Sequence, residues 1–375
     1  MDEKERLAWL RLIRTENIGP ITFYQLVESF GSATEALRAL PELSKRGGRK
    51  KPLSPPSEKS IEQEYKALQK LGGDIITVRD KHYPLALTAT DDAPPVLSVI
   101  GNPALLNKSC VAIVGARNAS INGKKFAAKI AADLGARNQV IVSGLARGID
   151  TAAHHGSLNT GTIAVVASGI DVVYPEENQA LYDQIKESGL IVAESALGAK
   201  PYAAAFPKRN RIVAGIAKGV IVVEATKRSG SLITARLGGE QGRDVMAVPG
   251  SPLDPRASGP NHLIREGATL IRSSEDVMES LLNFSGTSLR DPHMNVVNLT
   301  PPPSRDIHGV DDENSPEKRQ EEILSHLSFT AIFVDELIRA CHLTISGVQT
   351  TLLELELAGR IKRLPGNRVC LQEEV

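Results

Sequence analysis

The feature that most constrains this chain is a series of six apolar, β-branched segments separated by helical stretches, at residues 111–114, 140–142, 162–166, 190–193, 220–223 and 245–248. A strand with one wet face alternates apolar and polar residues. These segments do not alternate, so both of their faces must be covered. Helices between such strands give an α/β fold with a doubly wound parallel sheet. Ligands of such sheets sit beyond the carboxyl ends of the strands, which makes the turn after each strand the informative place to look.

At 375 residues the chain exceeds one ordinary core. Residues 1–75 read as a helical domain of the SAM or helix-hairpin-helix kind, with helices at 5–14, 21–30, 33–40 and 60–71. Its Asn17-Ile18-Gly19-Pro20 turn has amides that can meet a phosphate. Residues 45–51 hold five basic side chains, with prolines just after, and read as a solvated loop. The α/β domain is expected over 76–285. A disordered linker follows over 286–315, where Pro301, Pro302 and Pro303 precede Asp311, Asp312 and Glu313. Residues 316–375 offer helices at 317–327, 334–340 and 345–358 and a two-stranded wing at 361–371, the order of a winged helix.

Charge and cysteine content narrow the function classes. The chain carries 44 basic and 44 acidic side chains, so its overall balance gives no pull toward a polyanion. Locally, residues 195–236 hold eight basic side chains against Glu224 alone, a balance of +7 in 42 residues. Such a cluster attracts nucleic-acid phosphate and releases its counterions. No apolar run approaches the roughly 18 residues of a membrane span, and the charged start MDEKER is neither a signal nor a transit peptide. A cytoplasmic protein without membrane contact is expected. Cys110, Cys341 and Cys370 are scattered without CxxC spacing, which predicts neither a disulfide framework nor a metal site.

The turn after the first strand runs from Gly115-Ala116-Arg117-Asn118 to Gly123-Lys124-Lys125. A dinucleotide fingerprint would need glycine where Arg117 and Ser120 stand, and a Walker loop would need its GK[ST] five residues after the first glycine. No nucleotide cofactor is expected. The second turn, Ser143-Gly144-Leu145-Ala146-Arg147-Gly148-Ile149-Asp150, is expected to expose amides at a helix start, with Arg147 as countercharge. Asp150 reads as a cap or a partner of Arg147, and His154 as a packed histidine. Phe206-Pro207-Lys208-Arg209-Asn210-Arg211 reads as a turn before a helix. Its two arginines point different ways, one to phosphate and the other to Glu194 or Glu224. Finally, Lys227-Arg228-Ser229-Gly230-Ser231 reads as a helix start with hydroxyl caps. Three amide cradles on one edge suit a repeated phosphate better than a single nucleotide. Aromatics make up only 4% of the chain, so base stacking near this edge falls to Tyr174, Tyr202 and Phe206.

The runs IVGARNASINGKK, VSGLARGIDTAAHHGSL, FPKRNRIVAG, VVEATKRSGSLITA and AVPGS, in this order and spacing, resemble the DNA-processing protein A (DprA/Smf) family over about residues 83–282. The flanking helices and the winged helix resemble its longer members. The resemblance implies an extended Rossmann domain that binds and protects single-stranded DNA, forms a homodimer, and helps load the RecA recombinase in natural transformation and recombination. By position it puts DNA contacts on Arg117, Ser143, Gly144, Arg147, Lys208, Arg209, Arg211, Lys227 and Ser229. Gly148, Asn210, Gly230 and Ser231 join them from the same turns. Ala116 stands where many members have serine.

A helix that reads DNA needs basic or amide side chains, yet residues 345–358 offer Gln349 with Glu354 and Glu356 and no Lys or Arg. DNA contact by the winged helix would rest on Arg360, Lys362, Arg363 and Arg368, and a protein-interaction or regulatory role is the stronger expectation. For the whole chain the reading is a DNA binder rather than an enzyme, with no catalytic residues. The rival is a nucleoside monophosphate phosphoribohydrolase-like enzyme on a related fold. That chemistry wants a PGGxGT-type loop with acid support, where this chain has Arg228-Ser229-Gly230-Ser231 and Glu224 alone.

Overall fold

The structure is a computed structural model and describes residues 1–285, 315–341 and 343–372. The expected linker, 286–315, lies outside the described residues except for Ser315, which caps the Pro316–Ser325 helix. The described residues form two compact units. One combines the N-terminal helices up to Gln63 with the segment from residue 315 onward, and the other starts at Glu64.

The second unit is built on a nine-stranded sheet: β1 (Gly73–Thr77), β2 (Val96–Gly101), β3 (Cys110–Val114), β4 (Val140–Ser143), β5 (Thr162–Val166), β6 (Leu190–Ala193), β7 (Gly219–Val222), β8 (Asp244–Ala247) and β9 (Thr269–Leu270). Their order across the sheet is β1-β2-β6-β5-β4-β3-β7-β8-β9. From β6 to β9 all neighbours are parallel, and all six apolar segments of the sequence are strands of this part. β1 and β2 extend the sheet antiparallel, an addition the apolar runs did not announce.

Both faces are covered, as the unbroken apolar runs require. Ala112, Val114, Val142 and Val220 pack on one side against Ile212, Val213 and Ile216 of the Ala205–Ile216 helix. Val111, Ile113, Ile141 and Ile221 pack on the other against Ala127, Ile130 and Leu134 of the Ile121–Gly135 helix. Each valine, leucine or isoleucine among them contributes about 1.5–3 kcal/mol by leaving water.

The first unit contains the helices Glu3–Ile13, Pro20–Phe30 and Ala33–Arg46 and a winged helix. In the winged helix Pro316–Ser325, Val334–Ala340 and Ile345–Leu357 are joined by β10 (Ile332–Phe333), β11 (Ile361–Leu364) and β12 (Arg368–Leu371). The wing pairs in the order β10-β12-β11. The helix expected to end at residue 40 continues to Arg46, so Lys45 and Arg46 are helical rather than in a loop. Pro41 is accommodated inside it.

Candidate nucleic-acid interface

From β3 the chain winds outward through β4, β5 and β6, then returns along the Ala205–Ile216 helix to β7 on the other side of β3. That reversal opens a crevice beyond the carboxyl ends of the strands, where doubly wound sheets hold ligands. Two adjoining clefts occupy it, of about 580 and 320 Å³, sharing Arg117, Asn118, Gly144, Ala146, Phe206 and Arg209. The larger reaches Asn210 and Ser229, Gly230 and Ser231; the smaller reaches Arg147 and Tyr174.

A buried polar network forms the floor. Arg209 is 7% exposed and donates from Nη1 to the Val165 carbonyl at 2.9 Å. Burial pulls its guanidinium down to about 10, against the attraction of Asp150, so it stays charged at neutral pH. Gly144 makes this placement possible, since a Cβ there would lie 1.5 Å from Arg209 Nη1. Asp150 accepts from the amides of Gly144 and Ala146 at 3.1 and 3.4 Å, and burial raises its pKa. His154 Nε2 accepts from the Leu145 amide at 3.3 Å, and its Nδ1 lies 2.7 Å from Thr162 Oγ1. Burial lowers its pKa to about 3, so it is neutral.

This corrects two expectations for the second turn. Its amides at Gly144, Leu145 and Ala146 are not an open cradle, because Asp150 and His154 occupy them. Arg147 pairs not with Asp150 but with Glu177. Ser143 is fully buried, donates its hydroxyl to the Ile113 carbonyl at 2.6 Å and lines neither cleft. Gly148 takes φ +79 behind the turn, against the Ala116 and Arg117 carbonyls.

The stretch from Phe206 to Arg211, expected to be a turn, is the start of the Ala205–Ile216 helix. Proline is tolerated in a first helical turn, so Pro207 does not prevent this. Residues two apart on a helix differ by roughly 200° around its axis, which sends Arg209 into the clefts and Arg211 away from them. Arg211 is buried and bonds to Glu194 and to the Asp92 carbonyl, with the Asp92 carboxylate 3.5 Å from its Nε. It fastens the helix to the sheet rather than facing a ligand.

The walls carry the exposed chemistry. The Arg117 guanidinium lies over the Phe206 ring, 5.1 Å from its centroid, and Phe206 and Tyr174 have centroids 5.8 Å apart. Tyr174 is 45% exposed. Lys208, Lys227 and Arg228 are exposed, although none of them lines either cleft. Ser229 caps the Gly230–Glu240 helix, accepting from the Ser231 amide at 3.4 Å, while Asn210 donates to the Gly230 carbonyl at 3.3 Å. Sequence reasoning missed Asn118, Thr226 and the Asp254–Arg256 ion pair in the larger cleft. The signal available for the last was its place in the turn after β8, on the same sheet edge.

Glu224 is engaged: its carboxylate accepts from the Ser120 amide at 2.8 Å and the Ser120 hydroxyl at 2.6 Å, and Ser120 in turn caps the Ile121–Gly135 helix by accepting from the Gly123 amide. Among the described residues no group of three or more His, Cys, Asp or Glu side chains could hold a metal ion, and no helix is long and apolar enough to cross a membrane.

Comparison with known proteins accords with this architecture. Residues 74–282 match DNA recombination-mediator protein A, residues 3–67 the DprA-like N-terminal HHH domain, and residues 310–367 the DprA winged helix domain. The chain is 37% identical over 317 residues to Protein Smf of Escherichia coli, covering 84% of this chain and 82% of that one. It is 48% identical over 204 residues to DNA processing protein DprA of Streptococcus pneumoniae, covering 54% of this chain and 72% of the relative. An X-ray structure of DprA from that species aligns with a TM-score of 0.56 at 43% identity, over 60% of this chain and 78% of the other. DNA processing protein A from Helicobacter pylori, whose structure concerns a single-stranded DNA binding mode, aligns with a TM-score of 0.51 at 29% identity, over 56% of this chain and 96% of the other. With helical, sheet and winged-helix parts all matched in order, the chain belongs to the DNA recombination-mediator protein A family.

Proposed function

We propose that this protein binds single-stranded DNA along the carboxyl edge of its central sheet, protects it, and helps load RecA onto it in transformation and recombination. It acts in the cytoplasm as a homodimer and without catalysis. The observation that carries the reading is the aromatic pair of exposed Tyr174 and half-buried Phe206, with Arg117 over Phe206 and Arg147, Lys208, Lys227 and Arg228 on the neighbouring turns and helix. A duplex keeps its base faces stacked inside. A single strand can lay bases on the aromatic rings while its phosphates meet the cations. The likeness to the Helicobacter pylori protein supports the same ligand.

Fluorescence anisotropy with a labelled oligonucleotide tests the binding. Tight, salt-sensitive binding of single strands over duplex is expected, and equal affinity for duplex or no binding at low salt would overturn it. Loading is read from the lag before RecA filaments form on single strands, which the protein should shorten. The hydrolase alternative is the weaker one, because Glu224 is committed to Ser120. Release of free base from nucleoside monophosphates, lost in Glu224→Gln, would reinstate it.

A further inference from the structure

The Ile345–Leu357 helix, in the position that reads DNA in many winged helices, is buried on more sides than its own domain accounts for. Val348, Leu352 and Leu355 face the winged-helix core. Leu353 and Leu357 are also buried, at 7% and 0% exposure, yet stand outside that core. The Ala33–Arg46 helix of the N-terminal domain packs against the helix. Gly47, the residue that ends Ala33–Arg46, touches the Glu354 carbonyl so closely that a Cβ at 47 would lie 1.9 Å from that oxygen. Gln320 donates to the Arg46 carbonyl. The Thr22 hydroxyl bonds to Glu356, and Asn17 meets the chain at Gly359. The two carboxylates that make this helix unfit for a DNA groove are both buried here, Glu354 beside Arg46 and Arg319, and Glu356 beside Arg363.

We propose that the third helix of the winged helix is a protein-docking surface whose partner is the N-terminal helical domain of the same chain, so that these two domains act as one body and the helix is not open to DNA. Two features fit this use. The LLELELA stretch is apolar around most of its circumference, as a helix clasped from two sides must be. Gly47 has φ −67 and ψ 0, values any residue adopts, so its backbone does not call for glycine. The close approach to Glu354 does. What remains available to other partners is the exposed start of the helix at Ile345 and the wing cations Arg360, Lys362 and Arg368.

Gly47 gives a clean way to separate the domains. Gly47→Leu should drive off Glu354 without straining its own helix, and Gly47→Ala places a single methyl group at the same contact. Gly19→Ala is the control, since a Cβ there meets nothing within 4 Å. The readout is hydroxyl-radical footprinting of the intact chain, residue by residue. In the wild type and in Gly19→Ala, Leu353 and Leu357 should be protected relative to exposed Ile345. In the Gly47 variants their oxidation should rise several-fold, while Leu352 and Leu355 stay protected because the winged helix itself remains folded. Wild-type Leu353 and Leu357 that react like Ile345 would overturn the proposal. So would Gly47 variants in which both stay protected.

Discussion

The sheet edge and the winged helix handle charge in opposite ways. At the edge the cations divide: Arg211 turns inward and holds the Ala205–Ile216 helix to the sheet, Arg209 is buried in the floor of the clefts, and Arg117, Arg147, Lys208 and Lys227 face solvent. In the winged helix, Glu354, Glu356 and Arg363 all turn inward, and Arg363 bonds to Gln349 and pairs with Glu356. Arg363, expected as a wing contact for DNA, is therefore a structural residue. A charge count along the sequence measures what a segment contains, and the fold decides how much of it reaches a ligand. Of the eight cations in the +7 segment, Arg211 is an internal fastener, Arg209 is buried in the cleft floor and Arg236 pairs with Glu240.

The comparison can be broken first at Arg209. Arg209→Ala removes a buried cation opposite Asp150 and should cost about 3 kcal/mol in urea unfolding of the central unit, with loss of oligonucleotide binding. A neutral result would mean the inward cations are dispensable. The next effect is in pH. Because His154 is held neutral in the fold, with its pKa near 3, its contribution is complete above about 6.5 and is lost as pH falls toward 3. The expected slope is about 1.4 kcal/mol per pH unit. Asp150, whose raised pKa works in the other direction, offsets part of this, so the term is read as the difference between wild type and His154→Gln in urea melts. Phe206→Ala should then weaken single-strand binding by about 1–3 kcal/mol at constant salt, measured by anisotropy. Smallest of all, Lys362→Ala with Arg368→Ala should leave that affinity nearly unchanged. A loss as large as that from Phe206→Ala would erase the distinction between the two regions.

Much of this was legible in the sequence. Six strands were readable because a parallel strand covered on both faces must be continuously apolar, and the absence of Lys and Arg from residues 345–358 already argued against a DNA-reading helix. β1 and β2 were not: β2 does carry an apolar run, Val96-Leu97-Ser98-Val99-Ile100, but it precedes the strand–helix alternation that marked the other six. The helical state of Arg209 and Arg211 was hidden by Pro207, which suggests a turn but is compatible with a first helical turn. The Arg117–Phe206–Tyr174 assembly joins three separate loops and helix ends, so no local period encodes it. Asp150, read as a cap or a partner of Arg147, and His154, read as a packed histidine, are both buried and hydrogen-bonded, yet their cost to the amide cradle was missed, since partnership of amides within a turn depends on three-dimensional geometry. Gly47 looked like part of a basic loop because the atom that requires it belongs to Glu354, about 300 residues away.

The most direct test of a single-strand site on this edge is the salt dependence of oligonucleotide anisotropy for wild type, Lys208→Ala with Lys227→Ala, and Phe206→Ala. If phosphates meet the outward cations and bases meet the rings, the double lysine variant flattens the slope of log affinity against log salt by about 1.4. Phe206→Ala then gives a parallel line at lower affinity. A lysine variant with the wild-type slope, or an aromatic variant with undiminished affinity, would contradict the assignment of this edge to single-stranded DNA.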